Sequence, residues 1–359
     1  MDNKIFKVLE ILNEKGYEAY FVGGFPRDLY MGKTTIDYDI TTNATPKEIK
    51  EIFENIKSDN YGCVKFEYEG KTFEATTYRK DLKYKDNRKP VEIEYINDLK
   101  IDIMRRDFTI NTICLNSKGE YIDYLNGRCD IDNKIIKVVG NTNKKIKEDA
   151  LRILRAVRFA TTLNFKLAKE LESAIKEYGY LVKDLSYDRK KEELDKIFAS
   201  NNFDYGIELI RNLNLEKYLD INTYNIKKTT YLVGIWAQLN PDGYNFNKSE
   251  QETIKSVREL LDKDILSSIN LYKYGLYIAS IAAEIKGIDI SLINEKYNAL
   301  KIKSRNDIAI TPVEICEVVN EKPGSFLNIV LSDLEDKIIN NELENDKEDI
   351  IPYLIDNYL

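Results

Sequence analysis

Two hydrophobic periods alternate along the first hundred residues and predict a mixture of helices and strands. Residues 4–15 repeat apolar side chains at helical spacing, so we expect a helix with one buried face. The apolar run at residues 20–22 is typical of a buried strand, and residues 35–41 are predicted to form a second strand. Residues 64–68 and 72–79 alternate with a period of two across a short turn, which predicts a β-hairpin.

The pattern changes along the rest of the chain. Residues 80–90 are polar, charged and end at a proline, which predicts a mobile loop. Further strands are expected at residues 91–96, 120–124 and 135–139, the last two as a pair that completes a small mixed sheet. Beyond them the periodicity is helical, and residues 147–160 are predicted to form one continuous, mostly buried helix. The chain is therefore predicted to be α+β, with its sheet in the N-terminal part and helices after it.

A glycine pair after the first strand predicts an anion-binding turn. Gly23 and Gly24 tolerate backbone angles closed to other residues and let a ligand approach the main chain. Pro26 suits the first turn of a helix, with Arg27 beside it. Because the free N–H groups and the dipole at a helix start both favour negative charge, this turn is predicted to bind a triphosphate. A glycine pair alone is more often an ordinary turn.

Asp37 and Asp39 lie two residues apart in the second predicted strand, so both carboxylates should leave the same face. Two parallel carboxylates repel each other unless a positive charge lies between them, and Mg²⁺ prefers carboxylate and phosphate oxygens. We therefore predict a Mg²⁺ site next to the phosphate-binding turn. A lone Asp-x-Asp pair is more often a solvated strand end or a cap.

The combination of these motifs is more specific than either alone. Gly-Gly-x-x-Arg-Asp at residues 23–28 is followed by Asp-x-Asp-Ile at 37–40 and Thr-x-Ala-Thr-Pro at 42–46. The set resembles the signature of polymerase-β-like nucleotidyltransferases, in particular class II tRNA nucleotidyltransferases and bacterial poly(A) polymerases. Two positions depart from that signature: Pro26 replaces an aliphatic residue, and Thr35-Ile36 replaces a Lys-Asp or similar pair.

The resemblance implies a four-part chain built around a polymerase-β-like head. Residues 1–140 would be the nucleotidyltransferase head with its small mixed sheet, and residues 141–200 a helical neck that selects the nucleotide. Residues 201–292 would form a helical body, and residues 293–359 a helical tail that binds tRNA. The periodicity of the body is helical throughout, but its role is not readable from the sequence.

Further site residues follow from the resemblance. Glu74, on the second hairpin strand, is either a solvent-facing residue or a third metal carboxylate, and the family's pattern favours the carboxylate ligand. The run Arg105–Asn111 matches the family motif RRDFTxN. It implies that Arg106 contacts phosphate or sugar, and that Asp107 and Asn111 contact the ribose hydroxyls.

Charged side chains recur at spacings of three and four in the predicted helix 147–160. They could form a salt-bridge ladder along one face, or they could bind the nucleotide; they are Glu148, Asp149, Arg152, Arg155 and Arg158. The resemblance favours the second reading, because Glu-Asp-x-x-Arg-x-x-Arg is the family's nucleotide-selection motif. Cytosine and adenine both present a ring acceptor beside an amino donor, which suits an Asp149 that accepts and an Arg152 that donates. Arg155 and Arg158 would then reach phosphates.

The amino-acid composition limits the catalytic groups and metal ligands that the chain can use. The 359-residue chain contains no histidine, which excludes imidazole bases and His-ligated zinc, so carboxylates and a hard metal are the expected tools. The four cysteines show no metal or disulfide spacing, which indicates a reducing cytoplasm. No run of eighteen apolar residues occurs, so we expect no membrane span. The net charge is −7, so a nucleic-acid partner requires the basic clusters to be segregated from the acidic ones.

The resemblance implies an enzyme that adds C, C and A to the 3′ end of tRNA from CTP and ATP. The loop at residues 80–90 and the tail resemble those of full CCA-adding enzymes. A poly(A) polymerase or A-only enzyme is the first alternative. A non-catalytic tRNA-binding protein is the second, although a decayed site has no reason to keep two repelling carboxylates. The oligomeric state is not readable from the sequence.

Overall fold

The structure is a computed structural model that describes residues 3–60, 62–84, 90–239 and 243–359. The chain divides into two compact units, residues 1–221 and 222–359. The sheet lies in the first unit and the second is helical, so the α+β prediction is confirmed. Within the described ranges, no helix is both long and apolar enough to cross a membrane.

Seven strands form the main mixed sheet, in the order β3-β4-β5-β2-β1-β8-β9. The central pairing is parallel, between β2 and β5, whereas β4 and β5 form the predicted antiparallel hairpin. Two small two-stranded sheets pair β6 with β7 and β10 with β11. The strands are β1 (Ala19–Phe21), β2 (Tyr38–Thr42), β3 (Ile56–Asn60), β4 (Cys63–Tyr68), β5 (Lys71–Thr77), β6 (Arg79–Tyr84), β7 (Pro90–Tyr95), β8 (Cys114–Leu115), β9 (Tyr121–Ile122), β10 (Ile135–Ile136) and β11 (Lys166–Leu167).

Helices surround the sheet in the first unit and make up the second. Those of the first are α1 (Asn3–Glu14), α2 (Gly24–Tyr30), α3 (Pro46–Ile52), α4 (Leu99–Met104), α5 (Gly127–Asp132), α6 (Thr142–Glu148), α7 (Leu151–Leu163), α8 (Lys169–Tyr178), α9 (Tyr187–Phe198), α10 (Phe203–Asn212) and α11 (Glu216–Leu219). Those of the second are α12 (Leu232–Leu239), α13 (Lys248–Leu261), α14 (Ser268–Lys286), α15 (Ile290–Asn298), α16 (Pro312–Val319), α17 (Phe326–Ile339) and α18 (Lys347–Tyr358).

An aromatic cluster beneath the sheet holds β1, β2 and β5 in place. Phe21, Phe25 and Tyr38 meet edge-on or tilted, with ring centroids 4.9–6.1 Å apart. Tyr38 stacks on Phe73 of β5 at 5.3 Å. Because side chains alternate along a strand, burying Tyr38 and Phe73 on one face directs their neighbours Asp39 and Glu74 to the other. The hydrophobic pattern thus positions the predicted metal carboxylates.

Three local predictions are wrong. Residues 35–37 are not part of β2, so Asp37 lies just before the strand and not within it. The predicted helix 147–160 is interrupted, because α6 ends at Glu148 and Asp149 adopts an extended backbone before α7 begins. The strand pair 120–124 and 135–139 does not form, since β9 pairs with β8, and β10 pairs with β11.

The predicted mobile loop at residues 80–90 is in part a strand. β6 covers Arg79–Tyr84 and pairs with β7, which begins at Pro90. Polar and apolar residues alternate too weakly in β6 to predict a strand. Its backbone hydrogen bonds come from the pairing with β7, which the local sequence pattern does not indicate. Residues 85–89 lie outside the described residues.

Candidate active site

Asp39 and Glu74 face each other across the parallel pairing of β2 and β5. Burial of the Asp39 carboxyl and repulsion by Asp37 raise its pKa to about 6, although Arg106 opposes the rise. The rise means that the ionised Asp39 carboxylate is disfavoured, first because it is buried and second because Asp37 lies close. A divalent cation placed between the two aspartates would favour the ionised form.

The main chain at Gly23 approaches the Asp39 carboxylate closely, in a conformation that favours glycine. Gly23 has φ +79°, and a Cβ built on it would lie 3.2 Å from Asp39 Oδ2. The N–H of Val22 donates to the carbonyl of Asp39 at 2.9 Å, which joins the glycine turn to β2. The carboxylate oxygens of Asp37 and Asp39 and the repulsion between them fit a hard divalent cation.

Glu74 has a protein partner in this structure. Lys65 on β4 lies opposite it, and the Lys65 Nζ is 2.7 Å from Glu74 Oε1. In the part of the chain that the structure describes, no three or more acidic or cysteine side chains are grouped to hold a metal ion. The metal role of Asp37 and Asp39 and the role of Glu74 as a third ligand therefore stay predictions.

Arg27 is buried and firmly oriented. It lies in α2, which starts at Gly24 and contains Pro26 in its first turn as predicted. Its Nη1 donates to Asn111 Oδ1 at 2.7 Å, and its Nε donates to Asp28 Oδ1 at 2.8 Å. The guanidinium is therefore held beside the glycine pair by two side chains.

The motif at residues 105–111 continues this network. A short 3-10 helix at Thr109–Asn111 lets Asn111 Nδ2 donate to Asp107 Oδ1 at 3.2 Å. Arg155 of α7 donates to Asp107 Oδ2 from Nε at 2.7 Å. Burial alone would raise the pKa of Asp107, but Arg155, Asn111 and the Phe108 N–H together lower it to about 2. Contact with ribose hydroxyls stays a prediction for Asp107 and Asn111.

Three of the predicted arginines meet around one aromatic ring. The guanidinium carbons of Arg27, Arg155 and Arg158 lie 5.3, 5.4 and 4.0 Å from the ring centroid of Phe159. Arg158 also donates to Glu193 of α9 at 2.6 Å, so α9 supports α7. The sequence analysis did not single out Phe159; its position directly after Arg158 in α7 was the only available signal.

Asp149 and Arg152 lie at the break between α6 and α7. Asp149 Oδ1 accepts from the Leu151 N–H at 3.0 Å, which caps the start of α7. Arg152 is buried, and its Nη1 donates to the carbonyl of Lys145 at 2.6 Å and lies 3.4 Å from Glu148 Oε2. The break, not a continuous helical face, sets the positions of the two predicted selection residues.

Arg106 pairs with Asp102, a residue that the sequence analysis missed, and Asp102 in turn contacts the strand of Asp39. Asp102 is fully buried and accepts from Thr41, two residues beyond Asp39, at 2.9 Å. Arg105 and Arg106 pair with it at 2.8 and 3.2 Å. Burial would raise the pKa of Asp102, but the two arginines outweigh it and lower that pKa. The spacing Asp-x-x-Arg-Arg was the available signal.

Gly127, the first residue of α5, packs closely against the segment that carries Asn111. A Cβ on Gly127 would lie 2.3 Å from the carbonyl oxygen of Thr109, so only glycine fits there. Thr109 Oγ1 also donates to Asp130 Oδ2 at 2.6 Å. α5 is thereby packed directly against the short helix that carries Asn111.

Comparisons with known proteins agree with this geometry. A family model described as the poly A polymerase head domain matches residues 19–137. A model described as a probable RNA- and SrmB-binding site of polymerase A matches residues 164–220, and one described as a putative tRNA nucleotidyltransferase domain 2 matches residues 243–354.

Relatives cover nearly the whole chain. A CCA-adding enzyme of Lactococcus lactis subsp. cremoris is 33% identical, covering 95% of this chain and 92% of its own. A CCA-adding enzyme of Listeria monocytogenes serotype 4a is 32% identical, covering 98% and 97%. The crystal structure of the Bacillus stearothermophilus CCA-adding enzyme in complex with CTP superposes with a TM-score of 0.83 at 26% identity, covering 98% and 96%. The chain therefore belongs to the family of CCA-adding enzymes.

Proposed function

We propose that this chain is a tRNA nucleotidyltransferase that adds C, C and A to the 3′ end of tRNA, using CTP and ATP and releasing pyrophosphate. The observation that carries the proposal is the pairing of Asp39 with Glu74 beside Gly23, in a chain of this family. A relative of similar fold has been solved in complex with CTP. The alternative of a poly(A) polymerase is not favoured, because the relatives that span the chain are CCA-adding enzymes.

Nucleotidyltransferases of the polymerase-β superfamily generally use divalent metal ions, and we infer that the ion here is Mg²⁺. Asp37 and Asp39 would hold it, with Glu74 as a third ligand once it exchanges its bond to Lys65. When bound, such an ion lowers the pKa of the attacking hydroxyl and neutralises charge on the phosphates. Oxygen ligands and the hard character of the site support this choice.

The glycine turn and the buried arginines would hold the triphosphate. Gly23 and Gly24 carry no side chain at the start of α2, and Arg27 lies beside them in a fixed orientation. Arg155 and Arg158 stack against Phe159 from α7 and would extend the positive charge toward the phosphates and the primer end. Because these guanidiniums are already paired and stacked, little reorganisation would accompany binding.

Asp149 and Arg152 would choose the base. A carboxylate that only accepts and a guanidinium that only donates match the Watson–Crick edges of cytosine and adenine. Guanine and uracil present a ring N–H beside a carbonyl and would place donor against donor and acceptor against acceptor. The protein itself would then replace a nucleic-acid template.

The predicted division into head, neck, body and tail and the cytoplasmic location remain parts of this proposal. The four cysteines are free in the structure. The tail would contact tRNA near Lys322-Pro323-Gly324, which precedes α17.

The proposal is tested with tRNA that lacks its last three nucleotides, incubated with Mg²⁺ and each nucleoside triphosphate in turn. We expect two additions of C and one of A, whereas uptake of UTP would contradict the selection argument. Asp39→Ala should abolish incorporation and leave tRNA binding largely unchanged. A parallel loss of binding and incorporation would show that Asp39 has a structural role and not a metal-binding one.

A further inference from the structure

A groove of about 380 Å³ lies in the first unit between β6, α4 and α6. It collects positive charge in a chain whose net charge is −7. Four basic residues and a single acidic one, Glu148, line it; the basic residues are Lys80, Arg105, Lys144 and Lys145. These side chains come from three separate elements, so the charge results from the fold and not from one basic run.

The groove also has an apolar wall. Ile101 and Met104 of α4 line it, and they are 42% and 41% exposed to solvent. Exposed apolar side chains beside lysines are suited to a ligand that carries both phosphates and flat, weakly polar rings. Unpaired nucleotides have this chemistry, because their bases are free to stack and their phosphates remain charged.

Two sets of contacts connect the groove to the residues proposed for catalysis. Arg105, on its wall, shares Asp102 with Arg106, and Asp102 in turn accepts from Thr41 on the strand of Asp39. On the other side, Arg152 donates to the carbonyl of Lys145 at 2.6 Å. Residues that line the groove are therefore linked both to β2, the strand of Asp39, and to Arg152, one of the two proposed selection residues.

We propose that this groove binds the unpaired 3′ end of the tRNA, with phosphates against Lys144 and its basic neighbours and a base against Met104. The inference rests on the proposed function and adds to it a binding site for the primer strand. An acidic protein segment with apolar side chains would match the same surface, but the proposed function supplies a ligand that carries phosphates and bases together, the tRNA. RNA is therefore the ligand that the observations favour.

The chain offers a matched pair of lysines for the test. Lys144 in α6 and Lys47 in α3 each lie in a seven-residue helix, 3.9 Å from the glutamate four residues later. Their side chains are 77% and 86% exposed. Lys47 lies outside the groove, so Lys47→Gln controls for the loss of one exposed charge.

The experiment measures the affinity of full-length Lys144→Gln and Lys47→Gln for tRNA lacking CCA, across a range of salt concentrations. Loss of one phosphate contact on a single strand should reduce the slope of log K against log salt by about 0.7 for Lys144→Gln alone. Affinity should fall roughly threefold to tenfold for Lys144→Gln, and the KM for CTP should not change. Equal effects of the two substitutions would overturn the proposal.

A second substrate tests the commitment to an unpaired end. With tRNA trimmed to a blunt acceptor stem, the difference between Lys144→Gln and the wild type should nearly vanish. An undiminished difference would place the contact on the double helix and overturn the inference. Both results are interpreted only if the wild type adds C, C and A to tRNA. A wild type that does not add them would show separately that the proposed function is wrong.

Discussion

Asp107→Asn removes the charge that pairs with Arg155 and should destabilise the first unit. The pair is close, at 2.6 Å from Arg155 Nη2 to Asp107 Oδ2, and the aspartate side chain is only 12% exposed. The lowering of the Asp107 pKa from 3.8 to about 2 corresponds to roughly 2 kcal/mol of stabilisation. Since the substitution also leaves a half-buried guanidinium without its counter-charge, we expect a loss of about 2–4 kcal/mol.

A second ion pair of equal length provides the control. Lys176 Nζ lies 2.6 Å from Glu172 Oε1 on α8, but both side chains are nearly half exposed. Solvent screens such a pair, so Glu172→Gln should cost no more than about 0.5 kcal/mol. The distance between the charged atoms is the same in both pairs, so the contrast measures burial together with the additional hydrogen bonds that Asp107 accepts.

Urea unfolding measures both substitutions, and the chain's only tryptophan gives an internal reference. Trp236 is buried in the second unit, whereas far-UV circular dichroism reports the helices of both units. Asp107→Asn should shift the circular dichroism transition to lower urea and leave the Trp236 fluorescence transition unchanged. If Asp107→Asn costs no more than Glu172→Gln, the argument from burial is wrong.

The same pair predicts how stability responds to acid. Because the folded-state pKa of Asp107 is lowered, its contribution is fully present above about pH 4 and is lost as the pH falls toward 2. The wild type and Asp107→Asn should therefore differ most near neutral pH and converge between pH 4 and 2. A constant difference across that window would contradict the assignment of the stabilisation to this carboxylate.

Three further substitutions have defined outcomes. Gly127→Ala places a Cβ 2.3 Å from the Thr109 carbonyl oxygen and should cost about 1–3 kcal/mol in urea unfolding, or more if the backbone cannot shift. Asp149→Asn keeps an acceptor for the Leu151 N–H but adds a donor, so incorporation of UTP should rise relative to CTP while the helix break is retained. Lys65→Met releases Glu74 from its ion pair, so the Mg²⁺ concentration that gives half-maximal incorporation should fall by up to about fivefold. An unchanged Mg²⁺ titration would count against Glu74 as a ligand.

Short-range patterns identified most of the elements that carry the site. The start of α2 after the glycine pair, with Pro26 in its first turn, follows from local chemistry, as does the hairpin of β4 and β5. Errors arose where strand pairing, or a local bond of a side chain to the main chain, overrode the pattern of polar and apolar residues. The polar sequence of β6 becomes a strand because β7 pairs with it, and Asp149 interrupts a strongly helical pattern between α6 and α7.

The sequence by itself determined the chemistry of this protein: carboxylates without histidine, a glycine turn beside Arg27, and the motifs that place the chain in its family. It did so because a motif consists of residue types at fixed spacings, and both can be read directly along the chain. Only the tertiary structure decided which of those groups meet. Thr41 donating to Asp102, Arg155 pairing with Asp107, and Arg27 reaching both Asn111 and Phe159 depend on contacts between segments that are distant in the chain. A local pattern cannot specify such contacts, because they form only when the sheet and helices pack around a shared core.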